Sequence, residues 1–380
     1  MSRTHIAIVG AGFIGITLAR ALIHRGCRVT VFAPSLQAAG ATAVSYEWLN
    51  SHRKRPATYQ ALNLCGLNYW REVFGPRYAD HVTWSGHTAI AVSDEHRALL
   101  SERVDYLASH EYSAQLTHAP GSELNVPVPT GALVASFADE GYCDALSIRL
   151  ALLKELQQHE LFDFVEATVD AVDDTGVVLA DGSRVPVDRT VIAAGNGSAD
   201  LITRYGASFP MADQTAGGPA WGFLATVSVP AHGIRQLFTG DDLNLRPIDE
   251  DTLLVQCLDL DRHAAGDLPD SELTAIGEEF SRRVRRLLGR AVRTLRTRVG
   301  HRVIPGDGHT AAGPLRGSIQ DRVWAVVTHS GITLGPWLAE VIASELTTGV
   351  TDVRLRGFRP TRFTRTSAAT APSPRMPGEQ

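Results

Sequence analysis

His5-Ile6-Ala7-Ile8-Val9-Gly10-Ala11-Gly12-Phe13-Ile14-Gly15 reads as a short apolar strand that runs into a G-x-G-x-x-G turn. A helical stretch, 16–25, and a second β-branched run, 28–32, follow it. This order of strand, glycine turn, helix and strand is typical of dinucleotide-binding folds. Arg3 before an apolar stretch also imitates a secretory signal peptide, but the glycine turn and the second strand favour a nucleotide site.

Each glycine of the turn has its own role in such a site. Gly10 permits the tight turn, Gly12 lets the backbone approach the pyrophosphate, and Gly15 allows the helix to pack closely on the strand. The first turn of the helix, with Phe13 and Ile14, directs N–H groups and the positive end of its dipole at the phosphates. We therefore predict that all five residues contact a dinucleotide.

One part of the usual pattern is missing. The acid that binds the ribose hydroxyls belongs at the end of the second strand, about 20 residues further on. That position is Ala33, followed by Pro34 and Ser35. No arginine stands there to bind a 2′-phosphate. Ala33 and Ser35 are therefore the candidates for contact with the ribose.

The composition is that of an ordinary soluble globular chain. It has 380 residues, 44% apolar and 20% charged, which is enough for two domains. A net charge of -5 argues against nucleic acid as a partner. No apolar run reaches the ~18 residues of a membrane-spanning helix. The four cysteines lie far apart without a CxxC pair, which predicts no metal site and suits a reducing cytoplasm.

Two later segments repeat the pattern of a strand that runs into small residues. Thr190-Val191-Ile192-Ala193-Ala194-Gly195 would let a cofactor pass close beside Ala194 and Gly195. The strand 323–327 leads into Thr328-His329-Ser330-Gly331-Ile332-Thr333-Leu334-Gly335-Pro336 and then into a helix. A glycine-rich turn that opens a helix can direct N–H groups at a second anionic part of the same cofactor.

Together these motifs resemble the D-amino acid oxidase, glycine oxidase and sarcosine oxidase superfamily of FAD-dependent oxidoreductases. The resemblance spans nearly the whole chain, and its blocks are Gly10–Gly15, Asp139–Asp144, Thr190–Gly195, Val299–Gly313 and His329–Pro336. It implies an α/β (α+β) fold, in which a doubly wound Rossmann-type FAD-binding domain is interleaved with a mixed β-sheet substrate domain.

The resemblance also implies domain boundaries. The FAD-binding domain would comprise 1–80, 138–212 and 305–356, and the substrate domain would comprise 81–137 and 213–304. The remainder, 357–380, is rich in Thr, Arg, Ser and Pro and is predicted to be a flexible tail.

FAD is the implied cofactor. Neither a cysteine nor a histidine stands where some relatives attach it, so noncovalent binding is expected. Besides the glycine turn, the resemblance assigns to FAD the residues Thr42, Ala43, Val169, Ala194, Gly195, Gly331, Ile332, Thr333 and Leu334.

The implied reaction is oxidation of an amino acid or secondary amine that carries a carboxylate. Hydride passes from the carbon beside the amine to the flavin and leaves an imine that water hydrolyses. Arg302 matches an arginine that clamps the substrate carboxylate in some members, a role that suits its planar fork. Tyr46, Trp48, Asn50 and His329 are the other candidates for the substrate side of the pocket.

The electron acceptor is less determined. O2, reduced to H2O2, is usual in the superfamily, and some relatives use a lysine above the flavin for this step. Lys154 lies in a poor position, and Lys54 falls in Ser51-His52-Arg53-Lys54-Arg55, which is predicted to be a solvated loop. An amine dehydrogenase with another acceptor therefore stays open. So does an NADPH-dependent flavin monooxygenase, because Gly306-Asp307-Gly308-His309 imitates its motif; an NAD-dependent enzyme is less favoured.

Overall fold

The computed structural model describes residues 3–37, 40–110, 112–117 and 124–370. Its strands, in chain order, are β1 His5–Val9, β2 Arg28–Ala33, β3 Trp48–Leu49, β4 Val82–Thr83, β5 His87–Ala91, β6 Gln115–Thr117, β7 Leu133–Phe137, β8 Gly141–Cys143, β9 Phe162–Glu166, β10 Val169–Asp173, β11 Gly176–Leu179, β12 Arg184–Pro186, β13 Arg189–Ile192, β14 Trp221–Ser228, β15 Leu237–Thr239, β16 Asn244–Pro247, β17 Thr252–Gln256, β18 Arg293–His301, β19 Ala311–Pro314 and β20 Val323–Val327. Its α-helices are α1 Phe13–Ile23, α2 Gly40–Ala43, α3 Ala57–Tyr69, α4 Asp94–Ala108, α5 Ala145–Gln157, α6 Ser198–Arg204, α7 Asp270–Leu288 and α8 Gly331–Thr348.

A six-stranded sheet in the order β19-β20-β13-β1-β2-β9 carries the glycine turn. All its neighbours are parallel except β19, which is antiparallel to β20. Successive residues of a strand face opposite sides of the sheet. Accordingly, Ile6 and Ile8 join the core that contains α1 and α8, whereas Ala7 and Val9 join the core on the other face. Burial on both faces accounts for the apolar character of these strands.

An eight-stranded mixed sheet in the order β18-β14-β17-β16-β15-β5-β7-β6 forms the second layer. Only β15 and β5 pair in parallel within it, and it has a separate apolar core. Helix α7 buries Phe280 and Val284 in that core. On the outer side Arg282 donates to Glu279, so this basic helix presents a solvated face, as its mixed charges predict.

A small sheet in the order β3-β8-β4 connects the two larger ones. Strands of the six-stranded sheet come from the beginning, middle and end of the chain, and those of the eight-stranded sheet come from between them. The fold is therefore the mixed α/β fold predicted from the sequence. The domain boundaries stay predictions. No helix among the described residues has the length and apolar character that a bilayer crossing requires.

The segment after α8 differs from its prediction as a flexible tail. Arg359 donates to both carboxylate oxygens of Glu345, at 2.8 and 2.6 Å, and Glu345 is 1% exposed. Arg362 likewise binds Asp307, with Nε 2.7 Å from Oδ2. These bonds attach residues 359–362 to the rest of the fold, and flexibility of the remaining tail stays a prediction. The polar composition of this segment does not reveal that two of its arginines have buried or half-buried partners. Residues 371–380 lie outside the described residues.

Candidate active site

The backbone around the glycine turn leaves no room for side chains at two positions. Gly10 has φ +115°, and a Cβ there would lie 2.4 Å from the carbonyl oxygen of Ala193. A Cβ on Gly15 would lie 1.9 Å from the oxygen of Gly10. At Gly12, by contrast, a Cβ would meet only the hydroxyl oxygen of Thr42 within 4 Å, at 3.3 Å. Gly12 therefore borders open space and not packed backbone.

That space is a cavity of about 630 Å³, which extends from Val169 past the glycine turn to the start of α8. Most of the predicted cofactor residues line it, namely Gly10, Gly12, Phe13, Ile14, Ala33, Ser35, Thr42, Val169, Ala194, Gly195, Gly331, Ile332 and Thr333. Three lie outside the lining. Gly15 packs on the turn, the oxygen of Ala43 accepts from Arg298, and Leu334 is buried in the core.

The cavity has the donors that a dinucleotide requires. Gly12, the N-cap residue of α1, has no side chain to occupy the N–H groups of the first turn, which lie beside the cavity, and the Phe13 N–H donates to the Thr42 hydroxyl at 3.1 Å. Helix α8 also begins at the cavity, so the positive ends of two helix dipoles face it. The residues present therefore fit FAD: the glycine turn would hold its pyrophosphate, and residues 331–333 would face its flavin.

The turn formed by residues 331–333, called the flavin turn below, is held in place by hydrogen bonds with Trp48, Asn50 and Trp70. The Thr333 hydroxyl donates to the carbonyl oxygen of Trp48 at 3.2 Å and accepts from the N–H of Asn50 at 3.4 Å. The indole N–H of Trp70 donates to the carbonyl oxygen of Ile332 at 2.8 Å. The segment predicted to border the substrate is thus tied directly to the turn predicted to border the flavin.

The substrate candidates Tyr46, Trp48, Asn50 and His329 all line the cavity. The hydroxyl of Tyr46 is buried and has no hydrogen-bond partner among the described residues. Burial also raises the pKa of this phenol far above its usual range, so the hydroxyl stays neutral. A neutral, unbonded hydroxyl in the cavity can donate to or accept from a ligand.

Lys54 contradicts the prediction that it lies in a solvated loop. It is 3% exposed and lines the cavity, and Ser51, His52 and Arg53 before it are buried as well. Burial lowers the pKa of Lys54 to about 7; Arg53 lowers it further, and Glu140 opposes this effect. The loop composition misled the prediction because the partners that make burial of these charges possible come from distant parts of the chain.

Arg302 lines the cavity at the end of β18, but much of its guanidinium is already bonded. Its Nη1 donates to the carbonyl oxygens of Pro219 and Trp221, at 3.1 and 2.7 Å, and its Nη2 donates to Asp261. Burial raises the pKa of Asp261 even though Arg302 lies beside it. This geometry joins Arg302 to the neighbouring β14, and its predicted carboxylate contact stays a prediction.

Gln256, on the eight-stranded sheet, also lines the cavity and is not among the residues predicted from the sequence. Its side-chain oxygen accepts from the amide nitrogen of Asn244 at 3.0 Å, directly across the β16–β17 pair. Asn244 is fully buried, so this bond fixes the orientation of the Gln256 amide. A polar residue at the end of the apolar run Thr252–Gln256 was the available signal.

A buried group lies next to Lys54. Among the described residues, only His52, His87 and Glu140 bring potential metal ligands together, within 4.8 Å of one another. However, Arg53 Nε donates to His52 Nε2 at 2.7 Å, so the proton of the neutral His52 ring must be on Nδ1. That Nδ1 lies 2.5 Å from Glu140 Oε1. A protonated nitrogen cannot ligate a metal, so this arrangement does not favour a metal ion at the three residues.

Comparisons with known proteins agree with this geometry. Glycine oxidase from Geobacillus kaustophilus superposes with a TM-score of 0.79 at 18% identity, covering 96% of this chain and 100% of that one. L-Amino acid deaminase from Proteus myxofaciens in complex with anthranilate gives 0.78 at 14% identity, covering 96% and 94%. L-Proline dehydrogenase from P. horikoshii gives 0.76 at 15% identity, covering 97% and 99%. Such identities establish the fold alone.

No curated protein sequence shows significant similarity to this chain. The model of one family, described as FAD dependent oxidoreductase (DAO), matches residues 5–345. That match includes both the glycine turn and the flavin turn, and FAD is the cofactor of this enzyme family. Because the family model matches residues 5–345, which is most of the sequence, the chain belongs to the FAD dependent oxidoreductase family.

Proposed function

We propose that this enzyme oxidises an amino acid or secondary amine that carries a carboxylate. A hydride leaves the carbon beside the neutral amine, and the resulting imine is hydrolysed by water to a carbonyl compound and the released amine. FAD, bound noncovalently, supplies the two-electron acceptor for this step and is reoxidised by O2, which becomes H2O2. The protein must then bind, orient and shield the substrate.

One observation carries the proposal: a single cavity contains both the flavin turn and a set of polar side chains that could bind a small ligand. Tyr46, Asn50, Lys54 and Gln256 line it beside Gly331–Thr333. Hydride transfer requires chiefly that the C–H bond be held at the correct distance and angle, so binding groups can be sufficient for catalysis.

The carboxylate preference rests on charge. Lys54 and Arg302 both line the cavity, and an anionic ligand there would be attracted by the Arg302 guanidinium and would favour the protonated form of Lys54. The names of the similar structures, a glycine oxidase and an L-amino acid deaminase bound to anthranilate, point to the same class of ligand.

Lys54 also supports O2 as the acceptor. Negative charge grows on oxygen as it is reduced, and a cation in a site shielded from water stabilises such charge strongly. Lys54 is buried in the cavity lining, and it is therefore a candidate for the lysine that the sequence alone did not identify for the reaction with O2.

The test is an anaerobic titration of the FAD-loaded protein with matched pairs of amines: glycine and methylamine, N-methylglycine and dimethylamine, proline and pyrrolidine. We expect the carboxylate-bearing member of at least one pair to abolish the visible absorbance of the oxidised flavin. Admission of air should restore the absorbance and release H2O2.

Each part of the proposal can fail separately. No loss of absorbance with any amine or amino acid would refute amine oxidation. Equal rates within the pairs would refute the carboxylate preference. Absorbance that stays low in air but returns with an artificial electron acceptor would refute O2 as the acceptor.

A further inference from the structure

Glu140 is a fully buried carboxylate at the centre of a polar cluster that the proposed reaction does not use. The indole N–H of Trp48 donates to its Oε2 and the hydroxyl of Tyr112 donates to its Oε1, each at 2.9 Å. Tyr112 in turn accepts from the N–H of Ser51 at 3.2 Å. Glu140 is therefore bonded, directly or through Tyr112, to two positions of the segment that leads to Lys54.

Two histidines surround the same carboxylate. The Nδ1 atoms of His52 and His87 lie 2.5 and 3.2 Å from its two oxygens. Burial lowers the pKa of both imidazoles well below 6.5, so both rings are neutral. On the far side of the rings, the Nε2 of His87 lies 2.9 Å from the hydroxyl of Thr239, and Arg53 Nη2 donates to that hydroxyl at 3.4 Å. Two neutral rings therefore lie between Arg53 and Glu140.

The other end of this segment is fixed at the flavin turn. Thr333 is bonded to both Trp48 and Asn50, as described above. The first part of the 48–54 segment is therefore held by the flavin turn at Trp48 and Asn50 and by Glu140 at Trp48 and, through Tyr112, at Ser51. Lys54 follows this fixed part by three residues and lines the same cavity.

We propose that Glu140 is a positioning residue, which holds the 48–54 segment against the flavin turn and acts on the protonation of Lys54 at the end of that segment. The inference rests on the flavin site of the proposed function but not on the identity of the substrate. The other charged or titratable groups that face this pair are Arg53, Arg103, His52, His87, Tyr112 and Asp139.

The electrostatics of the two groups agree with this role. Burial raises the pKa of Glu140, whereas the hydrogen bonds from Tyr112 and Trp48 and the charge of Arg53 favour its ionised form. Burial lowers the pKa of Lys54 to about 7, and the charge of Glu140 opposes that decrease. An ionised Glu140 therefore stabilises the ammonium of Lys54, and an uncharged residue in its place makes Lys54 release its proton more easily.

The scarcity of lysine makes a direct test possible. Lys54 and Lys154 are the only lysines of the chain, so protein labelled with ¹³C at the lysine Cε gives two NMR signals. Lys154 is exposed on α5 and provides an internal reference. We expect the Lys54 signal of the FAD-loaded enzyme to titrate near pH 7, and Lys54→Met to remove it. In Glu140→Gln, the midpoint should fall by roughly one pH unit or more.

A matched control separates this effect from the loss of any buried carboxylate. Glu345 is equally buried but pairs with Arg359 outside the cavity, so Glu345→Gln should leave the Lys54 midpoint unchanged. An identical midpoint in the wild type and Glu140→Gln would overturn the proposal, and so would an equal shift in Glu345→Gln.

Tyr112→Phe keeps the proposal testable if Glu140→Gln does not fold. It removes one bond that favours the ionised form of Glu140, so the Lys54 midpoint should move down by a smaller amount. No movement in this variant would also overturn the proposal. Because the titration uses no substrate, failure of the proposed amine oxidation would leave its result unaffected.

Discussion

Replacement of Arg302 by alanine tests whether this arginine has a structural role. In the structure, this guanidinium donates to two carbonyl oxygens and to Asp261, and the side chains of Arg302 and Asp261 are 18% and 10% exposed. Arg302→Ala leaves Asp261 buried without its cation. We therefore expect a large loss of stability, whether or not the enzyme binds a carboxylate at this position.

The magnitude follows from the burial of the pair. Removal of one partner of a buried ion pair costs about 3–5 kcal/mol, and the residual exposure of Arg302 points to the lower end, about 3 kcal/mol. Asp261→Asn removes the charge that Arg302 leaves behind. The double variant should therefore be less destabilised than the sum of the single variants, by about 2 kcal/mol.

Urea unfolding of the wild type, both single variants and the double variant measures these free energies. A loss below about 1 kcal/mol in Arg302→Ala, or strict additivity in the cycle, would refute the structural role. The double variant, if it is folded, then allows a separate test of carboxylate binding. A raised KM for the carboxylate-bearing amine but not for its carboxylate-free partner would support that binding, and an unchanged KM would remove Arg302 from the site.

Three further outcomes follow from the structure. Gly12→Ala should weaken FAD binding at least tenfold in a fluorescence titration, because the added Cβ would stand where the backbone approaches the pyrophosphate. The apoprotein should stay folded, because within the protein this Cβ meets only the Thr42 hydroxyl. Unchanged affinity would contradict the placement of the pyrophosphate. Burial raises the pKa of Glu47 from its usual 4.5 to about 7. Between these two pH values the folded state binds a proton at Glu47 that the unfolded state has released. The free energy of unfolding should therefore fall as the pH rises through this range. Glu47→Gln should reduce that slope, and an equal slope would exclude Glu47 as its source. Arg359→Met leaves the buried Glu345 unpaired and should lower the free energy of unfolding by about 3 kcal/mol. The control Arg356→Met lies on the exposed surface and should change that free energy little. Equal losses in the two variants would contradict the attachment of the segment after α8 to Glu345.

The parts of the fold that depend on local backbone geometry could be predicted from the sequence. Gly15 is required by its contact with the backbone of Gly10 and Gly10 by its positive φ, both within a single strand–turn–helix unit, so their spacing indicates the turn directly; the contact of Gly10 with Ala193 is not visible in that unit. The turn before α8 is similar, because small residues and a following helix are visible in one stretch. Both turns border the same cavity.

The parts that depend on pairing between distant residues could not be predicted. Lys54 is buried in a polar segment that bonds to Glu140 and Thr333, and neither neighbour is close to it in sequence. The bond of Arg302 to Asp261 and the orientation of Gln256 by Asn244 likewise join separate elements. Periodicity describes which face of an element is apolar, but it does not identify the partner of a buried charge.

The most direct test of the account is the visible absorption spectrum of the FAD-loaded enzyme under anaerobic conditions, recorded after addition of amino acids and, separately, of NADPH. The account predicts that a carboxylate-bearing amine reduces the bound flavin and that NADPH does not. Reduction by NADPH, with no response to any amine or amino acid, would contradict amine oxidation and would favour a flavin monooxygenase.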